Sequence, residues 1–177
     1  MNLHHLAEKR RSSMITAHLI TGNVGAGKTT YAIALADQLG AVRFSIDEWM
    51  TALFWMDEPT RSNLPWCLER IERCEAQAWK LVEQLASRGG DVVLDLGLSR
   101  RAHRDRQRER ARGLGVSTKL HFLDADRTTR TARVKKRNEE KAETFAFEVT
   151  GEMIEFMEGY FEAPEGDELD GAIVVRG

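Results

Sequence analysis

A glycine-rich segment at residues 22–29 constrains this chain more than any other stretch, because it fits the pattern G-x-x-x-x-G-K-[ST] at every required position. Glycines at 22, 25 and 27 let the backbone curl until its N–H groups converge on a phosphate. Lys28 adds a positive charge, and the helix expected over 29–38 points its N-terminal dipole at the same anion. We predict that a nucleotide is held by Gly22, Asn23, Val24, Gly25, Ala26, Gly27, Lys28, Thr29 and Thr30.

The surroundings of this segment agree with a strand–loop–helix unit. Residues 17–21 form a short apolar run suited to a buried strand, and apolar side chains recur at helical spacing downstream. A glycine-rich turn without a nucleotide is the alternative, but it does not explain this context. The dinucleotide-binding fingerprint fits less well, because Thr30 stands where that pattern needs glycine or alanine.

Length and composition indicate one domain. The chain has 177 residues, of which 42% are hydrophobic and 31% charged, and no apolar run is long enough to span a bilayer. We expect a flexible N-terminal arm over 1–13, a single domain over 14–177, no membrane partner and, without a recognisable secretory signal, a cytoplasmic location. Cys67 and Cys74 lie on one predicted helix at a spacing too long for a disulfide, so both should be free.

Two aspartates follow predicted strands and should lie at the carboxyl edge of a parallel sheet, where active-site carboxylates belong. Asp47 is predicted to accept a hydrogen bond, or a proton, from an attacking hydroxyl, although it could instead cap the helix that begins at Glu48. Asp95 is predicted to hold Mg²⁺ together with the Thr29 hydroxyl, with a plain strand-end turn as the alternative. Trp49 opens an aromatic segment that either contacts the acceptor or packs into the core, and both interpretations stay open.

Three arginines share one face of the helix predicted to begin at residue 127. Arg130, Arg133 and Arg137 are spaced by three and four residues, so a lid over 127–148 could present their guanidinium groups together. Such groups match phosphoryl oxygens and would stabilise charge that develops during transfer. We predict that Arg133 and Arg137 assist catalysis and that Arg130 contacts the nucleotide; a solvated surface helix is the alternative.

The net charge of −2 conceals an uneven distribution. Seven arginines lie between residues 100 and 112, whereas acidic residues prevail from 139 to 170. The arginine run could recognise an anionic partner. It could equally form a solvated helix face with pairs such as Arg101 and Asp105, four residues apart.

The order of these motifs resembles the small P-loop kinases grouped with polynucleotide 5′-kinase, zeta toxin, chloramphenicol phosphotransferase and gluconate kinase. The resemblance rests on the phosphate loop, Ser-Ile-Asp-Glu-Trp, Val-Val-Leu-Asp-Leu-Gly and the helix start Leu-Asp-Ala-Asp-Arg, and covers most of residues 15–177. It implies a three-layer α/β fold with a five-stranded parallel sheet in the order 2-3-1-4-5. It also implies ATP and Mg²⁺ as cofactors, Asp47 at the acceptor hydroxyl, Arg133 and Arg137 in a lid, and Arg104 near the acceptor.

The favoured function is an ATP- and Mg²⁺-dependent phosphotransferase that moves the γ-phosphate to a hydroxyl of a small-molecule acceptor. The alternatives are a polynucleotide 5′-hydroxyl kinase and a regulatory switch that hydrolyses ATP without an acceptor. Asp95 is followed by Leu-Gly-Leu, where polynucleotide kinases usually continue Asp-x-Thr-Asn, and this departure weakens the case for a nucleic-acid partner. The identity of the acceptor and the oligomeric state stay open.

Overall fold

A five-stranded parallel sheet forms the centre of the molecule, and its order β2-β3-β1-β4-β5 confirms the prediction. The computed structural model describes residues 15–58, 63–141 and 148–177. The predicted arm over 1–13 and the predicted lid residues 142–147 lie outside this part of the chain. The strands are β1 (Thr16–Thr21), β2 (Val42–Ser45), β3 (Val92–Asp95), β4 (Ser117–Asp124) and β5 (Ile173–Arg176).

Helices cover both faces of the sheet. Across the described ranges they are α1 (Lys28–Leu39), α2 (Ile46–Leu53), α3 (Leu64–Ala86), α4 (Arg101–Gly113), α5 (Arg127–Glu140) and α6 (Gly151–Tyr160), with 3₁₀ turns at Trp55–Asp57 and Gly166–Leu169. None of these helices is long and apolar enough to cross a membrane. Both cysteines are free, as predicted.

Alternate strand residues enter two separate layers of the core, because successive side chains of a strand point to opposite faces. Leu19 and Leu94 join a cluster with Val82 of α3. Their neighbours Ile20 and Val93 pack against α1 on the other face. All five side chains are fully buried, which produces the predicted arrangement of helix, sheet and helix.

The strand register brings the chemically active segments to one edge. Thr21, which ends β1, pairs with Phe122 of β4. Ser45, which ends β2, pairs with Asp95 at the end of β3. The glycine-rich loop and the first turn of α2 therefore start from the ends of the two strands that flank β3.

Candidate active site

The glycine-rich loop adopts a backbone that side chains would disturb. Gly25 and Gly27 have φ angles of 78° and 92°, in the left-handed region. A Cβ atom on Gly25 would lie 2.5 Å from the carbonyl oxygen of Arg130, so this loop position also has no space for a side chain. The loop and α5 are consequently packed in direct contact.

The Lys28 amine lies inside the loop and donates a hydrogen bond to the Asn23 carbonyl over 3.2 Å. Removal from bulk water lowers the pKa of this amine, while the charges of Asp95 and Asp47 oppose that effect. Two carboxylates thus act on the same amine. A phosphate held by the loop would meet a cation that the protein has already partly desolvated.

Asp95 ends β3 with only 5% of its surface exposed. Burial raises the pKa of its carboxyl; Lys28 opposes the rise, Asp47 adds to it, and a hydrogen bond from Thr29 lowers it. The hydroxyl of Thr29 therefore lies beside the carboxylate of Asp95, and their joint binding of Mg²⁺ stays a prediction. Hydroxyl and carboxylate oxygens are the donors that Mg²⁺ prefers, so the pair fits that ion. Across the described residues there is no cluster of three or more His, Cys, Asp or Glu side chains that could hold a metal without further ligands.

Asp47 lies in the first turn of α2 and is not the helix cap. Ser45 occupies the cap position and accepts a hydrogen bond from the Glu48 N–H over 3.4 Å. Asp47 is exposed, yet the groups around it exclude enough water from its carboxyl to raise the pKa of that carboxyl. The charges of Lys28 and Arg137 oppose that rise. Its carboxylate is thus free of a capping role and faces the cationic end of the loop.

A pocket of about 660 Å³ joins these groups, and we call it the loop pocket. It lies between the glycine-rich loop, the start of α1, α5 and the end of β5. The side chains that carry the argument below are Lys28, Thr29, Tyr31, Asp47, Arg133 and Arg137. The volume is in the range of small-molecule and cofactor sites.

Arg133 and Arg137 both line the loop pocket, on the same helix face. Arg133 Nη1 is 3.4 Å from the Ala26 carbonyl oxygen. Arg137 Nε is buried and has no hydrogen-bond partner within the described part of the chain. A buried donor without a partner is costly, and an anion in the pocket would satisfy it.

Arg130 bears on a prediction about the nucleotide. It was expected to contact the nucleotide, but its guanidinium donates to the Ala125 carbonyl (3.0 Å) and the Val24 carbonyl (3.2 Å) and pairs with Glu158 at 2.7 Å. Glu158 also accepts a long hydrogen bond from Asn23. Each of the three guanidinium nitrogens thus has a protein partner that ties Arg130 to the loop, while its contact with a nucleotide stays a prediction.

Arg104 corrects a second prediction, that of an acceptor contact. Its side chain is completely buried, and its Nε and Nη2 donate to the Glu168 carboxylate over 2.8 and 2.7 Å. Nη1 donates to the carbonyl oxygens of Leu98 and Glu162. Because Arg104 has no exposed surface and all three of its guanidinium nitrogens are hydrogen-bonded within the protein, it cannot contact an acceptor. It instead connects α4 to the C-terminal segment.

Trp49 packs edge-on against Phe44, with ring centroids 5.8 Å apart, at the margin of the core. Its contact with an acceptor stays a prediction. Arg43 was missed by the sequence analysis, although its Nη1 lies 3.9 Å from the Asp95 carboxylate and Nη2 pairs with Glu48. Its only local signal was a charged residue inside a short strand. Glu158 was also missed, because an acidic residue on an amphipathic helix carries no local sign of a distant partner.

Taken together, a parallel sheet in this order, a glycine loop after β1 and carboxylates after β2 and β3 define the fold of P-loop kinases. The chain belongs to the AAA_33 family, described as an AAA domain, whose family model matches residues 18–164. No curated protein sequence matches the chain.

Solved structures share this fold at low sequence identity. A putative kinase from Chloroflexus aurantiacus is 17% identical with a TM-score of 0.67, over 93% of this chain and 86% of that one. The APS kinase of Mycobacterium tuberculosis, solved with AMPPNP and APS, is 18% identical with a TM-score of 0.62, over 92% and 88%. A gluconokinase from Sinorhizobium meliloti is 17% identical with a TM-score of 0.60, over 92% and 83%. At these identities the likeness establishes the fold.

Proposed function

We propose that this protein transfers the γ-phosphate of ATP to a hydroxyl of a small-molecule acceptor. The observation that carries the proposal is the electrostatic coupling of Lys28, Asp47 and Asp95 at one edge of the sheet, beside a loop shaped for phosphate. A loop that only bound a nucleotide would not need a second carboxylate facing the same amine. The fold shared with an APS kinase solved with AMPPNP supports ATP as the donor.

The nucleotide would be held by the loop N–H groups and Lys28. Thr29 and Asp95 would hold Mg²⁺, which when bound neutralises charge on the phosphate oxygens. Arg43, beside Asp95, would keep that carboxylate in place by charge attraction. Lys28 and Thr29 lie at the start of α1, Asp95 ends β3 and Arg43 lies within β2, so rigid elements support them.

Asp47 would orient the acceptor by accepting a hydrogen bond from its hydroxyl. In the transfer the acceptor oxygen forms a bond to the γ-phosphorus, and the bond from that phosphorus to the β–γ bridging oxygen breaks. ADP leaves, and the hydroxyl proton passes to the Asp47 carboxylate. A pKa raised by burial makes Asp47 a better proton acceptor than an ordinary aspartate.

Arg133 and Arg137 would face the transferring group from α5. Arg137 Nε is a buried donor without a partner among the described residues, so a phosphoryl oxygen would complete its hydrogen bonding. Guanidinium groups stay charged and suit the equatorial oxygens of the transferring group. Catalysis would then consist mainly of positioning and charge stabilisation.

The test follows label from γ-labelled ATP into products, with Mg²⁺ and a panel of nucleosides, sugars, aminocyclitols and 5′-hydroxyl oligonucleotides. Lys28→Ala should abolish transfer, and Asp47→Asn should reduce transfer far more than ATP binding. The exposed residues Lys80 and Asp37 provide the matched controls Lys80→Ala and Asp37→Asn. Full transfer by Lys28→Ala, or equal losses of binding and transfer in Asp47→Asn, would refute these assignments.

The panel also separates the two alternatives. A polynucleotide kinase would label the oligonucleotides, but much of the arginine run is engaged with carboxylates: Arg101 with Asp167, Arg108 with Glu168 and Arg110 with Glu75. That neutralisation favours a small acceptor. A regulatory switch would release free phosphate at a rate insensitive to every pool. The cytoplasmic location stays a prediction.

A further inference from the structure

A chain of polar side chains runs through the apolar layer between the sheet and α1. The Tyr31 hydroxyl of α1 lies 2.8 Å from His121 Nδ1, and His121 Nε2 lies 2.9 Å from His18 Nδ1. His18 Nε2 then faces the Asp91 carboxylate at 3.8 Å, which is an ion-pair distance, and has no hydrogen-bond partner within the described residues. This series of side chains therefore connects the amino end of β3 with Tyr31, which lines the loop pocket.

The acceptors in this chain determine its direction. An ionised carboxylate can only accept, so the nitrogen that faces Asp91 is the one that carries the proton of His18. A neutral imidazole has one donor and one acceptor nitrogen, so His18 Nδ1 accepts from His121 Nε2. His121 Nδ1 then accepts from the Tyr31 hydroxyl. The opposite direction would leave a lone pair of His18 facing a negative charge.

Both imidazoles are neutral at neutral pH. Burial, together with the charges of His18 and Lys119, lowers the pKa of His121 to about 4. Burial also lowers the pKa of His18, while Asp91 opposes that effect. Asp91, which directly precedes β3, and Lys119 of β4 are the charged groups that act on the pair, and Tyr31 faces it from α1. Because each neutral imidazole has one donor and one acceptor nitrogen, the hydrogen bonds between Tyr31, His121 and His18 must all point the same way.

We propose that Tyr31, His121 and His18 form a polarised hydrogen-bond relay whose direction is set by the nearby charge of Asp91, so that the Tyr31 hydroxyl is a donor to His121. The Tyr31 oxygen can then only accept a hydrogen bond from a ligand in the loop pocket. His121, His18 and Asp91 are positioning residues, and Tyr31 is a specificity-determining residue.

The relay predicts which chemical group of a ligand Tyr31 recognises. This step rests on the proposed function, because it assigns the loop pocket to a nucleotide. The tyrosine oxygen can accept a hydrogen bond from a donor such as an exocyclic amino group or a ribose hydroxyl. A carbonyl oxygen in the same place has no hydrogen to donate, and its lone pair would be repelled by that of the tyrosine oxygen. The amino group and the ribose hydroxyl would both donate to this oxygen, and the binding measurements described below distinguish between them.

The first experiment does not depend on nucleotide binding. Nitrogen-15 NMR of the full chain at neutral pH should show His18 and His121 both protonated on Nε2. In the wild-type protein the Thr16 N–H donates to Asp91 Oδ1 over 2.8 Å. In Asp91→Asn the amide oxygen would keep this hydrogen bond, and the amide NH₂ would face His18 Nε2. Both histidines should then be protonated on Nδ1 instead of Nε2. A wild-type His121 protonated on Nδ1, or tautomers unchanged by Asp91→Asn, would overturn the relay.

The second experiment compares the dissociation constants of ATP, ITP and 2′-deoxy-ATP. Tyr31→Phe should reduce the preference for ATP over one of the two analogues by about two- to tenfold, as expected for one hydrogen bond, and Asp91→Asn should reduce the same preference. Loss against ITP identifies the amino group, and loss against 2′-deoxy-ATP the ribose hydroxyl. Tyr160→Phe, at the only other tyrosine, is the matched control. Thermal melting checks that each variant folds.

Unchanged preferences in both variants would overturn the role of Tyr31 in recognition. If wild-type protein bound none of the three nucleotides, the proposed function would fail, and with it the recognition by Tyr31. The NMR result would still decide whether the relay is polarised.

Discussion

Replacement of Arg104 by Met tests whether this arginine acts in the structure or at the acceptor. The side chain is completely buried, and it holds the carboxylate of Glu168, which is itself 5% exposed. Arg104→Met keeps much of the apolar stem but removes every donor. Among the described residues, the Glu168 carboxylate then retains the pair with Arg108, at 2.9 Å.

The expected cost follows from the burial of that carboxylate. Breaking a buried ion pair by removing one partner costs about 3–5 kcal/mol, and the remaining contact with Arg108 places Arg104→Met near the lower value. For a chain of this size we expect the melting temperature to fall by about 6–12 °C. The carbonyls of Leu98 and Glu162 also lose a donor, which adds to the cost.

The assay combines thermal and urea denaturation with phosphotransfer measured well below the melting temperature. Arg106→Met, at an exposed position of the same helix, is the matched control and should change stability little. The double variant Arg104→Met with Glu168→Met should recover part of the loss, because it leaves no unpaired charge. A stable Arg104→Met protein that had lost transfer would refute the structural role and restore the acceptor contact.

Three further predictions concern the loop and the buried histidine. Gly25→Ala should lower the free energy of unfolding by about 2–5 kcal/mol, and by more than Gly40→Ala does. Both substitutions place alanine in a left-handed backbone, but only the Cβ atom at residue 25 would collide with the Arg130 carbonyl. Equal losses of stability in urea titrations would contradict the close contact. Arg130→Met should weaken ATP binding about tenfold in calorimetry by releasing the loop, and an unchanged affinity would exclude that positioning. The folded-state pKa of His121, about 4, lies below the unfolded value of 6.5, so its contribution to stability is complete above 6.5 and is lost as pH falls towards 4. Over that range wild-type protein should lose roughly 3 kcal/mol more than His121→Asn in denaturant titrations, and parallel pH profiles would contradict a buried neutral imidazole.

The sequence alone was sufficient for the fold and the loop. The pattern over residues 22–29 depends on local backbone geometry, and Asp47 and Asp95 each follow a strand whose carboxyl end points to one edge. Sheet order came through resemblance to a family and was confirmed. These features are local in sequence or repeated throughout a fold class, so neighbouring residues are enough to reveal them.

The roles of individual arginines needed the tertiary structure. Arg104 and its partner Glu168 are 64 residues apart along the chain, and Arg130 reaches the Val24 carbonyl across 106 residues. A guanidinium group looks the same in sequence whether it meets a phosphate, a carboxylate or a carbonyl. The same is true of the relay, since Tyr31 and His121 are 90 residues apart. The sequence by itself determined the class of fold and the phosphate loop, whereas only long-range packing decided which charged and polar side chains are used within the protein and which stay free for a ligand.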